Sequence, residues 1–249
     1  MERELAEHHK EICAVILEPL LQCAGGMRMY HPVYLKLLRE ACDRYGVLLI
    51  ADEIAAGFGR TGTLFACEQA NITPDLMCLS KGITGGFLPL ATVMMTESLY
   101  QSFYEDYKHG RSFLHSHSYT ANPLACAAAL ATLDLFEAQP VLEQNQHKAA
   151  YMLSKVESLR KHPNVFDVRQ LGMVLAVELM QDPAQKLPYP WQERRGLRAY
   201  RHAIERGVLL RPLGNVLYCM PPYIINESEM DFMLEVLMEG VEIAAGVKL

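Results

Sequence analysis

Basic runs are missing from this 249-residue chain, whose formal net charge is −6. Without a cationic stripe it carries no electrostatic footprint for nucleic acid or an anionic membrane, although a local basic pocket for a small anionic substrate stays open. No C-x-x-C pair occurs among the seven cysteines, which are scattered singly through apolar stretches. An odd, dispersed set argues against a disulfide framework or zinc ribbon and for reduced thiols packed as small hydrophobes. The start, MERELAEHHKEICAVILEPL, has no apolar segment behind a cationic one, so a signal peptide is not expected. No apolar run approaches the roughly 18 residues of a membrane span, and neither an internal repeat nor a low-complexity tract is present. The expectation is a cytoplasmic globular protein, and 51% apolar residues suffice for a substantial core.

What is there alternates. Short apolar runs, ICAVILE, VLLIAD, LMCLS and ATVMMT, are separated by helical patterns at Tyr34 to Arg44 and Phe65 to Ala70. Continuous apolar strands separated by helices imply a mostly parallel sheet covered on both faces, with ligands beyond the carboxyl ends of the strands. Asn122-Pro123 supplies an N-cap and a first-turn proline for a long alanine-rich helix. Pro140 ends it, and a second helix runs toward His162. Beyond lie VFDVRQ, MVLAVELM, a Pro-rich polar segment, a helix to Arg206, strands VLLR and VLYCM, and an amphipathic helix from about Glu227. The pattern implies an α/β domain over residues 1–138 and a smaller α+β domain over 139–249.

Two charged residues fall at strand ends, Asp52 after VLLIA and Lys81 after LMCLS, the lysine directly before a turn containing Gly82, Gly85 and Gly86. A lysine is nucleophilic only when part of its population is neutral, and a carboxylate nearby can hold the ring nitrogen of pyridoxal phosphate. On spacing alone an ordinary strand-end ion pair is the better reading. His115 and His117 in HSHS have no Cys or carboxylate partner at ligand spacing, so no metal site is expected. GFGRTG matches neither the P-loop nor the dinucleotide spacing and suggests a flexible active-site turn.

The ordered set ADEIAAGFGRTG, LSKGITGG and HSHSYTANPLACAAA, with Lys81 29 residues after Asp52, resembles the class III aminotransferases that depend on pyridoxal phosphate. EPLLQCAGGMRMYHP and GVLLRPLGNVLYCMPPYII resemble the biotin-pathway branch of that family, from about Ile12 to the last helix. The resemblance implies a fold type I transferase and a homodimer with its site shared across the interface. It implies that Lys81 bonds to the cofactor and relays the proton, that Asp52 pairs with the pyridine nitrogen, and that Ile54 stacks on the ring, a position that plain strand-end packing would equally explain. Ser116, His117 and Ser118 match a loop touching substrate and, across the interface, the cofactor phosphate. Arg211 matches the clamp for the substrate carboxylate, with Tyr218 beside it, where the bland alternatives are a solvated charge and a core tyrosine. Glu18 in LEP is a landmark near the cofactor.

The implied reaction moves an amino group onto 8-amino-7-oxononanoate, with S-adenosylmethionine as donor and lysine as the other candidate. A relative acting on ω-amino acids such as 4-aminobutyrate or ornithine is the alternative within the family, and a non-catalytic remnant the alternative outside it. The family's subunit is longer on the amino-terminal side, where its phosphate-cradling Gly-Ser turn and stacking tyrosine lie, so the chain resembles a carboxy-terminal portion. A sheet cut between strands would expose edges and apolar faces. Some relatives carry a Gly-Pro-Thr version of the HSHS loop. The hydroxyl is retained here as Ser118, while Ser116 lacks a glycine's backbone freedom.

Overall fold

A computed structural model describes residues 1–115 and 117–246. In chain order the elements are α1 (Glu2–His8), β1 (Ala14–Leu17), β2 (Leu21–Gln22), β3 (Arg28–Met29), α2 (Pro32–Tyr45), β4 (Leu48–Asp52), β5 (Leu76–Leu79), β6 (Thr92–Met95), α3 (Glu97–Gln101), α4 (Pro123–Ala138), α5 (Val141–Val156), β7 (Val165–Leu171), β8 (Val174–Leu179), α6 (Arg195–Glu205), β9 (Arg211–Leu213), β10 (Val216–Cys219) and α7 (Glu227–Ala245). They form two compact units. The first holds Met1–Leu20, Tyr30–Phe58 and Thr63–Pro140, the second Leu21–Met29, Gly59–Gly62 and the chain from Val141.

In the first unit the sheet order is β1-β4-β5-β6, the first three strands parallel and β6 antiparallel to β5. Helix α2 starts where the His31 ring accepts the Val33 N–H and Pro32 occupies the first turn, and it stops at Gly46, whose φ of 66° a side chain would resist. It buries Leu35, Leu38, Ala41 and Cys42, and the last three of these join Leu5, Val15 and Leu49 in one cluster. Burial of each leucine contributes about 1.5–3 kcal/mol. Asp75, just before β5, fastens the helix to the sheet: its Oδ2 accepts the Leu49 N–H at 2.7 Å and an Arg39 N–H at 2.6 Å. Helix α4 begins as expected, with Asn122 Oδ1 accepting the Leu124 N–H at 3.0 Å ahead of Pro123. Both outer strands present apolar side chains to solvent, Ile16 on β1 at 62% exposure and Met94 on β6 at 57%.

In the second unit the antiparallel order is β7-β8-β10-β9. Alternation splits its strands into two buried faces. Leu175, Val177, Leu217 and Cys219 meet Met152 and Val156 of α5, Ala199 and Ala203 of α6, and Leu234, Leu237 and Val241 of α7. Gly240 lets α7 approach α6 closely, since a Cβ there would lie 3.3 Å from that of Ala199. Val174, Ala176 and Val216 face the other way and are covered by Leu21 and Met27 of the β2–β3 hairpin. Arg169 clamps that hairpin by donating to the Gly26 and Met27 carbonyls at 2.6 and 2.7 Å.

Three sequence expectations change. The strand expected over VLLR begins only at Arg211, because Val208–Leu210 find no ladder partner before the two-residue turn at Gly214-Asn215 lets β9 pair with β10. The GFGRTG turn is not a loose loop: Gly59 and Thr61 are buried, and Arg60 donates to the Pro221 carbonyl at 2.9 Å and lies over the Tyr223 ring. Cys13 is exposed, whereas Cys42, Cys67 and Cys219 are packed inside.

Candidate active site

The carboxyl ends of β4 and β5 carry the two residues of interest. In the parallel register Asp52 pairs with Cys78, three residues before Lys81, and neighbouring strands lie about 4.8 Å apart. Asp52 is half-buried, and its Oδ1 accepts the Ile54 N–H at 3.1 Å, an Asx-type turn that carries the chain off the strand end. Its charge is felt at Cys78, whose thiol is pushed up by burial and then by Asp52. Lys81 is exposed and has a φ of 45°, a left-handed conformation that costs a non-glycine residue about 1–2 kcal/mol. Such strain marks a position held by its surroundings. The holders are the Ser80 hydroxyl, which donates to the Leu90 carbonyl at 2.7 Å, and the buried Thr84 hydroxyl, which donates to the Leu88 carbonyl at 2.6 Å.

Next to Asp52 stands an acid that the sequence did not single out. Glu53 is 0% exposed, and its two carboxylate oxygens accept the N–H groups of Ala66 and Cys67 at 3.0 and 2.9 Å, at the start of a short 3-10 helix. Burial raises its pKa, and those backbone bonds oppose the rise. Glu53 thus braces the loop that Asp52 opens. Phe58 has a φ of 55° and is 3% exposed at the end of that loop.

The remaining candidates separate. Ile54 is half-buried beside Asp52. Glu18 is half-buried in the first unit, and its carbonyl accepts the Tyr30 hydroxyl at 2.6 Å. His117 and Ser118 lie in an exposed turn of the first unit, where His117 Nδ1 accepts the Tyr119 N–H and the Thr120 hydroxyl accepts the His117 N–H, both at 3.1 Å. Ser116 lies outside the described residues. Arg211 and Tyr218 belong to the second unit as cross-strand partners in β9 and β10, so they share a sheet face, with Arg211 exposed. Among the described residues no group of three or more His, Cys, Asp or Glu could hold a metal ion, and no single helix is long and apolar enough to cross a membrane.

A family model described as Aminotransferase class-III matches residues 1–241, a span that includes both strand ends. The chain belongs to the class III aminotransferases. A relative from Geobacter sulfurreducens, named adenosylmethionine-8-amino-7-oxononanoate aminotransferase, is 46% identical over 99% of this chain and 54% of its own. A Helicobacter pylori protein of the same name is 44% identical over 96% of this chain and 54% of its own. The crystal structure of the Methanocaldococcus jannaschii protein of that name superposes with a TM-score of 0.92 at 36% identity, covering 97% of this chain and 56% of that one. A thermostable omega transaminase variant superposes at 0.90 with 29% identity, covering 98% and 54%. This class III chain therefore spans about half the length of its relatives, and its α/β architecture with a mostly parallel sheet is part of their fold.

Proposed function

We propose that this chain is the portion of a pyridoxal-phosphate-dependent aminotransferase that carries the reactive lysine, and that the complete enzyme transfers an amino group to 8-amino-7-oxononanoate, with S-adenosylmethionine as donor. The observation that carries the proposal is the pair of adjacent strand ends: Asp52 beside Cys78 on β4 and β5, with Lys81 three residues on. When bound, the cofactor supplies the electron sink that lets a Cα–H bond of the donor ionise. This chain's residues would hold it. Lys81 would hold the cofactor aldehyde through its amine and would serve as the base and acid that moves the donor's Cα proton. Asp52 would face the pyridine nitrogen, and Ile54 would pack on the ring face.

His117 and Ser118 contribute to the phosphate site of a homodimer whose two sites are shared across its interface, and Ser116 touches substrate. Arg211 offers a planar two-pronged donor to the substrate carboxylate, with Tyr218 beside it. Residues 1–138 act as part of the large cofactor-binding domain and 139–249 as the small domain. The chain works in the cytoplasm, where the seven thiols stay reduced. Identities of 36–48% to relatives bearing the biotin-pathway name, against 29% and 32% to two omega transaminases, favour the biotin substrate over ω-amino acids.

Mixing the purified chain with pyridoxal phosphate, reducing with borohydride and mapping peptides tests the proposal. Incubation is done with the chain alone and with the part of the Geobacter sulfurreducens relative that it does not match. A cofactor adduct on Lys81 is expected. Its absence under both conditions would favour a non-catalytic protein.

A further inference from the structure

Resting on the assignment of Lys81 and Asp52 to one cofactor, we propose that Phe58 and Gly82 form a spacer that fixes where Lys81 stands relative to Asp52, which makes Phe58 a positioning residue for the lysine. The loop that leaves Asp52 turns back tightly. The Gly57 N–H donates to the Glu53 carbonyl at 2.8 Å, and a Cβ on Gly57 would stand 2.9 Å from that oxygen. Phe58 follows, buried and left-handed, with its ring edge-on to Phe65 at 5.6 Å.

Its other neighbour is the backbone that carries Lys81. A Cβ on Gly82 would lie 2.8 Å from the Cβ of Phe58 and 3.1 Å from two of its ring carbons. Gly82 is not among the positive-φ glycines, so it serves proximity and not backbone freedom. The atom it would strike is a Cβ held by its own backbone, so a close-packed interior has little room to yield. On the far side the turn is closed by the Ile83 N–H to the Ser80 carbonyl at 3.1 Å and the Gly85 N–H to the Gly82 carbonyl at 3.0 Å, and a Cβ on Gly85 would meet the Thr132 hydroxyl of α4 at 3.5 Å. Lys81 is therefore pinned between the loop of the acid and α4. A shift of Phe58 moves the amine while Asp52, anchored in the β4 ladder, stays.

Four variants decide this: Gly82→Ala, Phe58→Gly, the double variant, and Leu38→Ala in α2 as a control for general loss of stability. Two readouts are taken on each. Amide hydrogen exchange at Ile83 and Gly85 needs no cofactor, and the rate of borohydride trapping of pyridoxal phosphate on Lys81, with the pH midpoint of the bound cofactor's absorption band, reports the amine itself. Gly82→Ala and Phe58→Gly are each expected to speed exchange at Ile83 and Gly85 about tenfold relative to Leu38→Ala and to slow trapping about tenfold with a shifted midpoint. The double variant, which restores the space, is expected to trap faster than Gly82→Ala. Should Phe58→Gly fail to fold, Phe58→Leu, which removes the ring but keeps the Cβ that Gly82→Ala would strike, takes its place as a single variant, and the exchange of the two single variants then decides. Unchanged exchange in both single variants, or a double variant no better than Gly82→Ala, overturns the proposal. Exchange that responds as expected in a chain whose Lys81 is never trapped supports the packing and counts against the cofactor reading alone.

Discussion

Replacing Glu53 by alanine isolates the brace beneath the candidate site. The parent carboxylate is 0% exposed and takes two backbone N–H bonds at 3.0 and 2.9 Å. Each buried N–H left without an acceptor costs about 1–3 kcal/mol, so two cost about 2–6 kcal/mol. Against this stands the cost of keeping a charge out of water, visible as the upward shift of the Glu53 pKa, which alanine removes. Breaking such an arrangement from one side destabilises, and a net local loss of about 2–4 kcal/mol is expected. That corresponds to roughly 30-fold or more in local opening. Native-state amide exchange at Ala66 and Cys67 reads it directly. Leu49, whose N–H goes to Asp75 in the same unit, is the internal reference. Equal protection of Ala66 and Cys67 in parent and variant would refute the reasoning. The pH dependence gives a second reading. The folded state binds the Glu53 proton more tightly than the unfolded chain, so protonation stabilises. The gain is complete below the unfolded value near 4.5 and is lost as pH rises through the raised folded value. Glu53→Gln cannot titrate there. The parent's urea midpoint should therefore rise relative to that of Glu53→Gln as pH falls, and a constant gap would contradict the buried charge.

Arg169→Ala removes two charge-assisted bonds to the Gly26 and Met27 carbonyls and a 2.6 Å pair with Glu178, which predicts a loss of about 3 kcal/mol and new protease cleavage near Gly25-Gly26, against none in the parent. Glu239 of α7 is held below the usual carboxylate range by its hydrogen bond with His202 and then by Arg206. Its contribution is present above the unfolded value near 4.5 and is lost as pH falls through the depressed folded value, so Glu239→Gln should flatten the acid limb of a stability-versus-pH curve. In an assembled, active enzyme, Arg211→Ala should raise the KM for the keto acid by about ten- to a hundredfold, the worth of one hydrogen bond to a charged group. The KM for the donor should change little, and equal losses for both would count against the carboxylate role proposed for Arg211.

The parts of the molecule that local sequence signals control were legible. A continuous apolar run ended by Asp52, another ended before Lys81, and Asn122 followed by Pro123 each state their structure within a few residues, because strand burial and helix capping are decided by neighbours in the chain. Contacts made by distant backbone were not. The hairpin strands β2 and β3 have two residues each, too few for a period to show, and they are held by Arg169, some 140 residues later in the chain. Glu53 beside Asp52 reads as one more acid at a strand end. Only the placement of Ala66 and Cys67, 13 and 14 residues on, turns it into a buried acceptor. Phe58 gives no sign in the sequence of its left-handed backbone, and Gly82 gives no sign that its missing side chain serves close approach. Within the first unit, then, the groups proposed to act announce themselves through residue type and position at strand ends, while the groups that hold them in place are identified by packing. A substitution chosen from sequence alone would go to Asp52 or Lys81. One chosen from the structure goes to Glu53, Phe58 or Gly82, where a single methyl group or a missing acceptor tests whether the strand ends are held in register for one ligand.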